Sequence, residues 1–259
     1  MKKIFFYVIV FFTTVLVAQP NSEVFLFDIK IDEGNIELIN QRNISNNVGY
    51  DNQPSFYNDN IVLFSSTRNG QTDIAKYNIR DNEMSYISDT PQGSEYSPLK
   101  VPGKKAISAI RLDENGKQLL YRYDYKTGKS DVLIEDLVIG YHVWFSKDVV
   151  LSSVLDEDNL SLVSTFLKEG KSYKFQKKIG RSLHTIPNSK LVSYISKENE
   201  NEWQIKSVDP LSGATSIIIN TIPKAEDMCW HINGTIFMPK GNTIYKFNPK
   251  TDMDWSVLH

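Results

Sequence analysis

The sequence predicts an all-β fold, a β-propeller of four-stranded blades, on three observations. Sustained helical periodicity is absent. Short runs rich in β-branched and aromatic residues recur instead, separated by Asn, Asp and Gly clusters, which is the pattern of many short strands. The runs repeat at intervals of about 43 residues, and four strands per repeat of that length is the arithmetic of a propeller blade.

The elements follow in chain order. Residues 1–18 read as a signal peptide: Lys2 and Lys3 form a charged start, 4–17 an apolar stretch, and Ala18 supplies the small residue before the cut. An uncleaved anchor is the rival reading, although the apolar run is shorter than the roughly 20 residues a spanning helix needs. Residues 19–259 then form a single propeller domain, in an extracytoplasmic setting, periplasmic or secreted. The lone Cys229 rules out an intramolecular disulfide, so stability must come from the core. Cys229 itself is expected to be a buried, inert thiol in a strand.

Six hairpin units carry the repeat, at 24–39, 73–87, 119–134, 160–175, 203–219 and 243–258. VFLFDIKIDEGNIELI (24–39) and LLYRYDYKTGKSDVLI (119–134) show the plan: an alternating strand, an Asp, a polar turn, then a second strand. Five of the hairpins follow another strand pair, at 53–66, 96–110, 141–154, 181–195 and 228–238, where Pro54 and Pro98 are read as strand starts. Five blades are therefore complete, and the hairpin at 24–39 supplies only the outer two strands of a sixth. The expected ring has six blades with the first reduced; five blades is the alternative. One blade cannot bury both faces alone, so the blades must stack.

Composition excludes some functions. Hydrophobic residues make up 41% and charged residues 23%, with a net charge of −2, so there is no electrostatic case for nucleic acid. No G-x-S-x-G elbow, phosphate-cradling loop or zinc-protease helix occurs. The acidic stretch DEDN (156–159) lacks a glycine-centred calcium loop and reads as a solvated turn.

QPSFYNDNIVLFSSTRNGQTDIAKYNI (53–79) resembles the TolB-type propeller repeat of bacterial exported proteins, and similarity of this kind runs over 24–258. SEYSP (94–98), GYHVW (140–144), GRSLHTIP (180–187) and AEDMCW (225–230) resemble the blade-joining segments of a group of exported TolB-like propellers. That group usually reads E-D-H-x-W in the last segment. Here Met228 stands where the histidine would be, so a three-histidine metal site, if the group has one, has lost a ligand.

In a propeller, residues at the start of each innermost strand line one mouth of the central channel. Gln53, Glu95, Tyr96, Tyr141, His142, Arg181, His184, Glu226, Asp227 and Met228 hold those places in successive repeats. Tyr96, Tyr141, His142, Arg181, His184, Glu226 and Asp227 are the candidate ligand-binding residues. Arg181 suits a carboxylate or phosphate, with a salt bridge to Glu95 or Asp227 as its structural alternative. His142, His184 and Glu95 are the candidates for acid–base chemistry. His142, His184 and His231 are the candidates for a divalent metal, although no cofactor is predicted. For His142 and His184 the plainer reading is a hydrogen bond across a blade junction. Trp144 and Trp230 read as blade packing.

Two functional expectations follow. The first is a binding or scaffolding module with a small anionic or peptidic ligand, or an envelope protein, at the channel mouth. The second is a hydrolase or lyase with a histidine-containing, metal-dependent site in the same place. Neither involves nucleic acid or a membrane span after signal cleavage.

Overall fold

The computed structural model describes residues 21–32 and 35–258; the leader expected at 1–18 lies outside them. Every regular element described is a strand. A two-stranded hairpin, β1 (Phe25–Asp32) and β2 (Asn35–Asn43), precedes five four-stranded antiparallel sheets. The first blade is β3 (Asp51–Asn58), β4 (Ile61–Arg68), β5 (Gln71–Asn78) and β6 (Glu83–Tyr86). The second is β7 (Gly93–Lys100), β8 (Ala106–Asp113), β9 (Gln118–Asp124) and β10 (Ser130–Ile134). The third is β11 (Ile139–Trp144), β12 (Val149–Asp156), β13 (Asn159–Phe166) and β14 (Lys171–Gln176). The fourth is β15 (Ile179–Thr185), β16 (Val192–Ser196), β17 (Gln204–Val208) and β18 (Thr215–Asn220). The fifth is β19 (Cys229–Trp230), β20 (Ile236–Lys240), β21 (Thr243–Phe247) and β22 (Ser256–Val257). Each sheet is a meander in chain order. The chain is a propeller with five complete blades, the alternative count, beside a reduced pair of strands.

Tight turns make the meanders. At the β4–β5 turn Asn69 and Gly70 have φ of 53° and 82°, so both central residues are left-handed, which Asn-Gly accepts at little cost. Second strands are buried on both faces (Val62–Ser66 and Ile195 with its neighbours), and fourth strands are mostly exposed. Burial on both faces explains the unbroken apolar runs in the sequence.

Five apolar clusters glue successive sheets. Val24 and Ile44 of the hairpin region pack with Val62, Phe64 and Tyr77. Leu63 and Ile74 meet Ile107, Leu119 and Tyr123. Ile110 and Leu120 meet Ile139, Trp144 and Val150. Leu151 and Leu162 meet Leu183, Val192 and Tyr194. Ile195 and Ile205 meet Met228, Ile236 and Phe247. Each fully buried Leu or Ile contributes about 1.5–3 kcal/mol. Backbone contact is equally close: a Cβ on Gly128 would lie 2.2 Å from the Ile87 carbonyl oxygen, so only glycine lets the β9–β10 turn approach the preceding blade.

Two sequence expectations need correction. Pro54 and Pro98 lie inside β3 and β7, at bulges, and not at strand starts. The residues before them, Gln53 and Ser97, have φ of 56° and 52°. Innermost strands are sheet edges, where a missing N–H and a bulge are tolerated. Cys229 does lie in a strand, but it is exposed. Alternation points Met228 and Trp230 toward the fourth blade, so Cys229 faces the other way. The DEDN turn behaves as expected: Asp156 is held by Lys174 (2.8 Å) and Ser161 (2.8 Å).

Candidate functional site at the channel mouth

Each first strand from β3 to β15 carries a slip in its pairing. Pairing slips between Asn52 and Ser55, between Tyr96 and Leu99, between Ile139 and Tyr141, and between Ile179 and Leu183. A bulge re-aims the side chains beside it, and here it divides the predicted mouth residues into two sets.

One set gathers at the mouth. The Tyr50 and Tyr96 rings meet edge to face, with centroids 6.4 Å apart. Burial raises the Tyr50 hydroxyl pKa; Tyr141 and Tyr96 push the same way, and Arg181 opposes them. Residues of four successive blades thus share one electrostatic neighbourhood. Gln53 ties the first two: its Oε1 accepts from Ser65 Oγ (3.1 Å) and from the Ser97 N–H (2.9 Å). Gln53, Tyr96, Gln118, Tyr141 and Leu160 line a cavity of about 290 Å³.

Arg181 and Asp227 complete the mouth from the fourth blade and the approach to the fifth. The guanidinium donates from Nε to Oδ1 at 2.6 Å and from Nη2 to Oδ2 at 2.5 Å, a two-pronged pair on exposed side chains. Glu226 accepts from the Arg181 N–H (2.8 Å) and from Lys197 Nζ (2.8 Å). Lys197 sits 4.2 Å over the Trp203 ring. Trp203, Lys178 and Lys197 line a wider groove of about 490 Å³, which shares Leu155 and Leu160 with the first.

The second set turns into the blade seams. His142 is buried, and its Nε2 lies 2.7 Å from Ser108 Oγ, which also accepts from Trp144 Nε1 at 2.8 Å. Ser108 Oγ also donates to the Leu99 carbonyl oxygen (3.4 Å), and His142 Nδ1 is a buried atom without a partner among the described residues. Burial pushes the His142 pKa down to about 3. His184 Nε2 lies 3.2 Å from Ser182 Oγ, and burial pushes its pKa down to about 4, opposed by the Met228 backbone and Asp227. Both rings are neutral at pH 7. His231 sits at a local turn, with Nδ1 accepting from the Asn233 N–H at 3.4 Å. Among the described residues no group of three His, Cys, Asp or Glu side chains is placed to hold a metal.

Glu95 also points inward. It accepts from Ser88 Oγ (2.9 Å) and Tyr123 OH (2.9 Å) between the first two blades, and burial lifts its pKa to about 7. The structure therefore brings Tyr96, Tyr141, Arg181, Glu226 and Asp227 together and sends Glu95, His142 and His184 into junctions. Tyr50 was missed. Its only sequence signal is the Gly-Tyr pair at 49–50, which repeats at 140–141.

No protein-family model matches the sequence, and no curated protein matches it. Solved structures do. TolB from Acinetobacter baumannii superposes with a TM-score of 0.64 at 11% identity, over 81% of this chain and 54% of that one. The fold is a TolB-like β-propeller. The chain spans about half the length of that TolB. An oligogalacturonate lyase in complex with manganese matches this TolB-like propeller with a TM-score of 0.61 at 12% identity, over 92% of this chain and 85% of that one. A chain of a nidogen–laminin complex matches with a TM-score of 0.70 at 9% identity, over 92% and 90%. At such identities the likeness is one of fold, and function must be argued from the site.

Proposed function

We propose that this TolB-like propeller is an exported binding module whose mouth holds an extended peptide segment of a protein partner. The observation that carries the reading is the convergence of Tyr50, Tyr96 and Tyr141 on the Arg181–Asp227 pair. Tyrosines offer apolar area and a polar tip at low entropic cost, the chemistry of protein-recognition surfaces. Arg181 already has a carboxylate on both prongs, so the mouth presents a neutral pair of donors and acceptors in place of a bare cation. That suits a peptide backbone better than a small anion. The histidines proposed for chemistry are neutral and hydrogen-bonded within seams, which supports binding over hydrolysis or elimination. The nidogen–laminin match adds that a propeller of this shape occurs in a protein–protein complex. The leader-like segment at 1–18 supports export.

The test is a displayed library of random peptides selected against the mature chain. Selected peptides should lose at least tenfold in affinity for Tyr96→Ala/Tyr141→Ala and for Arg181→Ala, variants expected to keep the wild-type melting temperature. Peptides that bind all variants equally, or that are displaced by none of these changes, would refute a mouth site.

A further inference from the structure

The hairpin of the reduced blade obeys the same local rules as the blade after it. In the first complete blade, the Ile74 N–H donates to Ser88 Oγ (2.8 Å), Ser88 Oγ lies 3.1 Å from Asp73 Oδ1, and the Thr90 N–H reaches Asp73 Oδ1 at 3.3 Å. In the hairpin region, the Val24 N–H donates to Ser45 Oγ (2.9 Å), Ser45 Oγ lies 2.5 Å from Glu23 Oε2, and the Asn47 N–H reaches Glu23 Oε2 at 3.4 Å. Glu23 is thus the counterpart of Asp73, Ser45 of Ser88, and β1 of the third strand β5.

The environments differ in one respect. β5 pairs with β4 on one side and β6 on the other, whereas among the described residues β1 pairs only with β2. Residues of β5 are largely buried, but Phe25, Ile29 and Ile31 of β1 are 47%, 45% and 49% exposed. A long apolar strand with a free edge is a template for another strand. Charge is unmatched as well. Arg68, at the end of β4, reaches Asp73 at 3.3 Å. Among the described residues no basic side chain pairs with Glu23. Asp51, which follows on the next strand as Glu95 does, is 1% exposed with both carboxylate oxygens unpartnered.

We infer that the free edge of β1 is a docking site for an extended strand from a partner protein, with alternating apolar residues and a basic residue set against Glu23. The strand takes the position that β4 holds beside β5, and its cation does for Glu23 what Arg68 does for Asp73. Backbone pairing along 21–28 supplies affinity, and the basic residue fixes register.

The experiment titrates the mature chain (19–259) with a synthetic peptide of the β4 sequence, IVLFSSTR, and follows backbone hydrogen exchange. Saturable one-to-one binding is expected, with slowed exchange at 21–28 and no change in the later blades. Arg68→Glu in the peptide, or Glu23→Arg in the protein, should each weaken binding by about tenfold, and the two reversals together should restore it. Restoration separates the charge match from a folding defect. Failure of the peptide to protect 21–28 overturns the inference. So does protection before peptide is added, whether in a monomer, where the chain's own segment fills the edge, or in a dimer, where a second copy does.

Discussion

Trp144 Nε1 donates to Ser108 Oγ at 2.8 Å, from the innermost strand of the third blade to the second strand of the blade before. Trp230 repeats the contact two seams further on, donating to Ser193 Oγ at 2.8 Å from the fifth blade to the fourth. These bonds add to the apolar packing and to other polar contacts between neighbouring sheets, such as Ser153 Oγ donating to the Gly180 carbonyl oxygen at 3.0 Å.

Ser108→Ala strands two buried groups at once, the Trp144 N–H and His142 Nε2. The expected loss is about 2–3 kcal/mol, read as a shift in denaturation midpoint. Ser152, on the second strand of the third blade, is buried with an unpartnered hydroxyl. Ser152→Ala is therefore expected to be neutral or stabilising. Equal losses for the two variants would contradict this account of the seams.

Acid should weaken the fold through the two seam histidines. An unfolded histidine takes up its proton near 6.5, whereas burial holds His142 at about 3 and His184 at about 4. Their contribution is complete above about pH 6.5 and is lost as pH falls toward those lower values. The unfolding free energy should drop between pH 6.5 and 4, most steeply below 4.5, and His142→Gln should reduce the slope by about one proton. A flat profile over that range would be the contrary result.

Glu95 works in the opposite sense. Burial raises it from 4.5 to about 7, so the folded chain keeps a proton there that the unfolded chain has released. Its contribution is full below pH 4.5 and is lost as pH rises toward 7, about 1.4 kcal/mol per pH unit across the window. Between 4.5 and 6.5 it offsets one of the two histidines. Glu95→Gln should remove this component, so the variant gains on the wild type as pH rises from 4.5 to 7. The check is a pair of denaturation curves at each pH; a constant difference would exclude titration of Glu95.

Cys229 is expected to react with a thiol reagent in the native state, giving one equivalent without denaturant because it is exposed, but more slowly than a free thiol because desolvation around the sulfur raises its pKa. A thiol that titrates only after unfolding would restore the buried reading.

The blade plan was legible because its causes are local. Strands buried on both faces are written as apolar runs, turns as Asn-Gly and Asp clusters, and the interval between them shows the repeat. Tyr96, Tyr141, Arg181 and Asp227 were legible as a group because equivalent repeat positions must meet around an axis. The orientation of Glu95, His142 and His184 was not. Slipped pairing in the first strands of four blades decides which neighbours face the mouth and which the seam, and the Pro54, Pro98, Gly140 and Gly180 within the slips do not say which way those neighbours turn. Cys229 was misjudged for a related reason: burial depends on whether a further sheet packs on that face, and sequence alternation is silent on that.

By itself the sequence determined the all-β class, the blade boundaries, the reduced first unit and the list of residues able to reach the mouth. These follow from periodicity, turn chemistry and counting. Only the tertiary structure decided which of those residues stand in the opening, that Arg181 is already held by Asp227, and that among the described residues β1 has a free edge and Glu23 no basic partner. The physical reason is the same in each case: side-chain direction, ion pairing and edge burial depend on residues from other blades, tens of positions away along the chain.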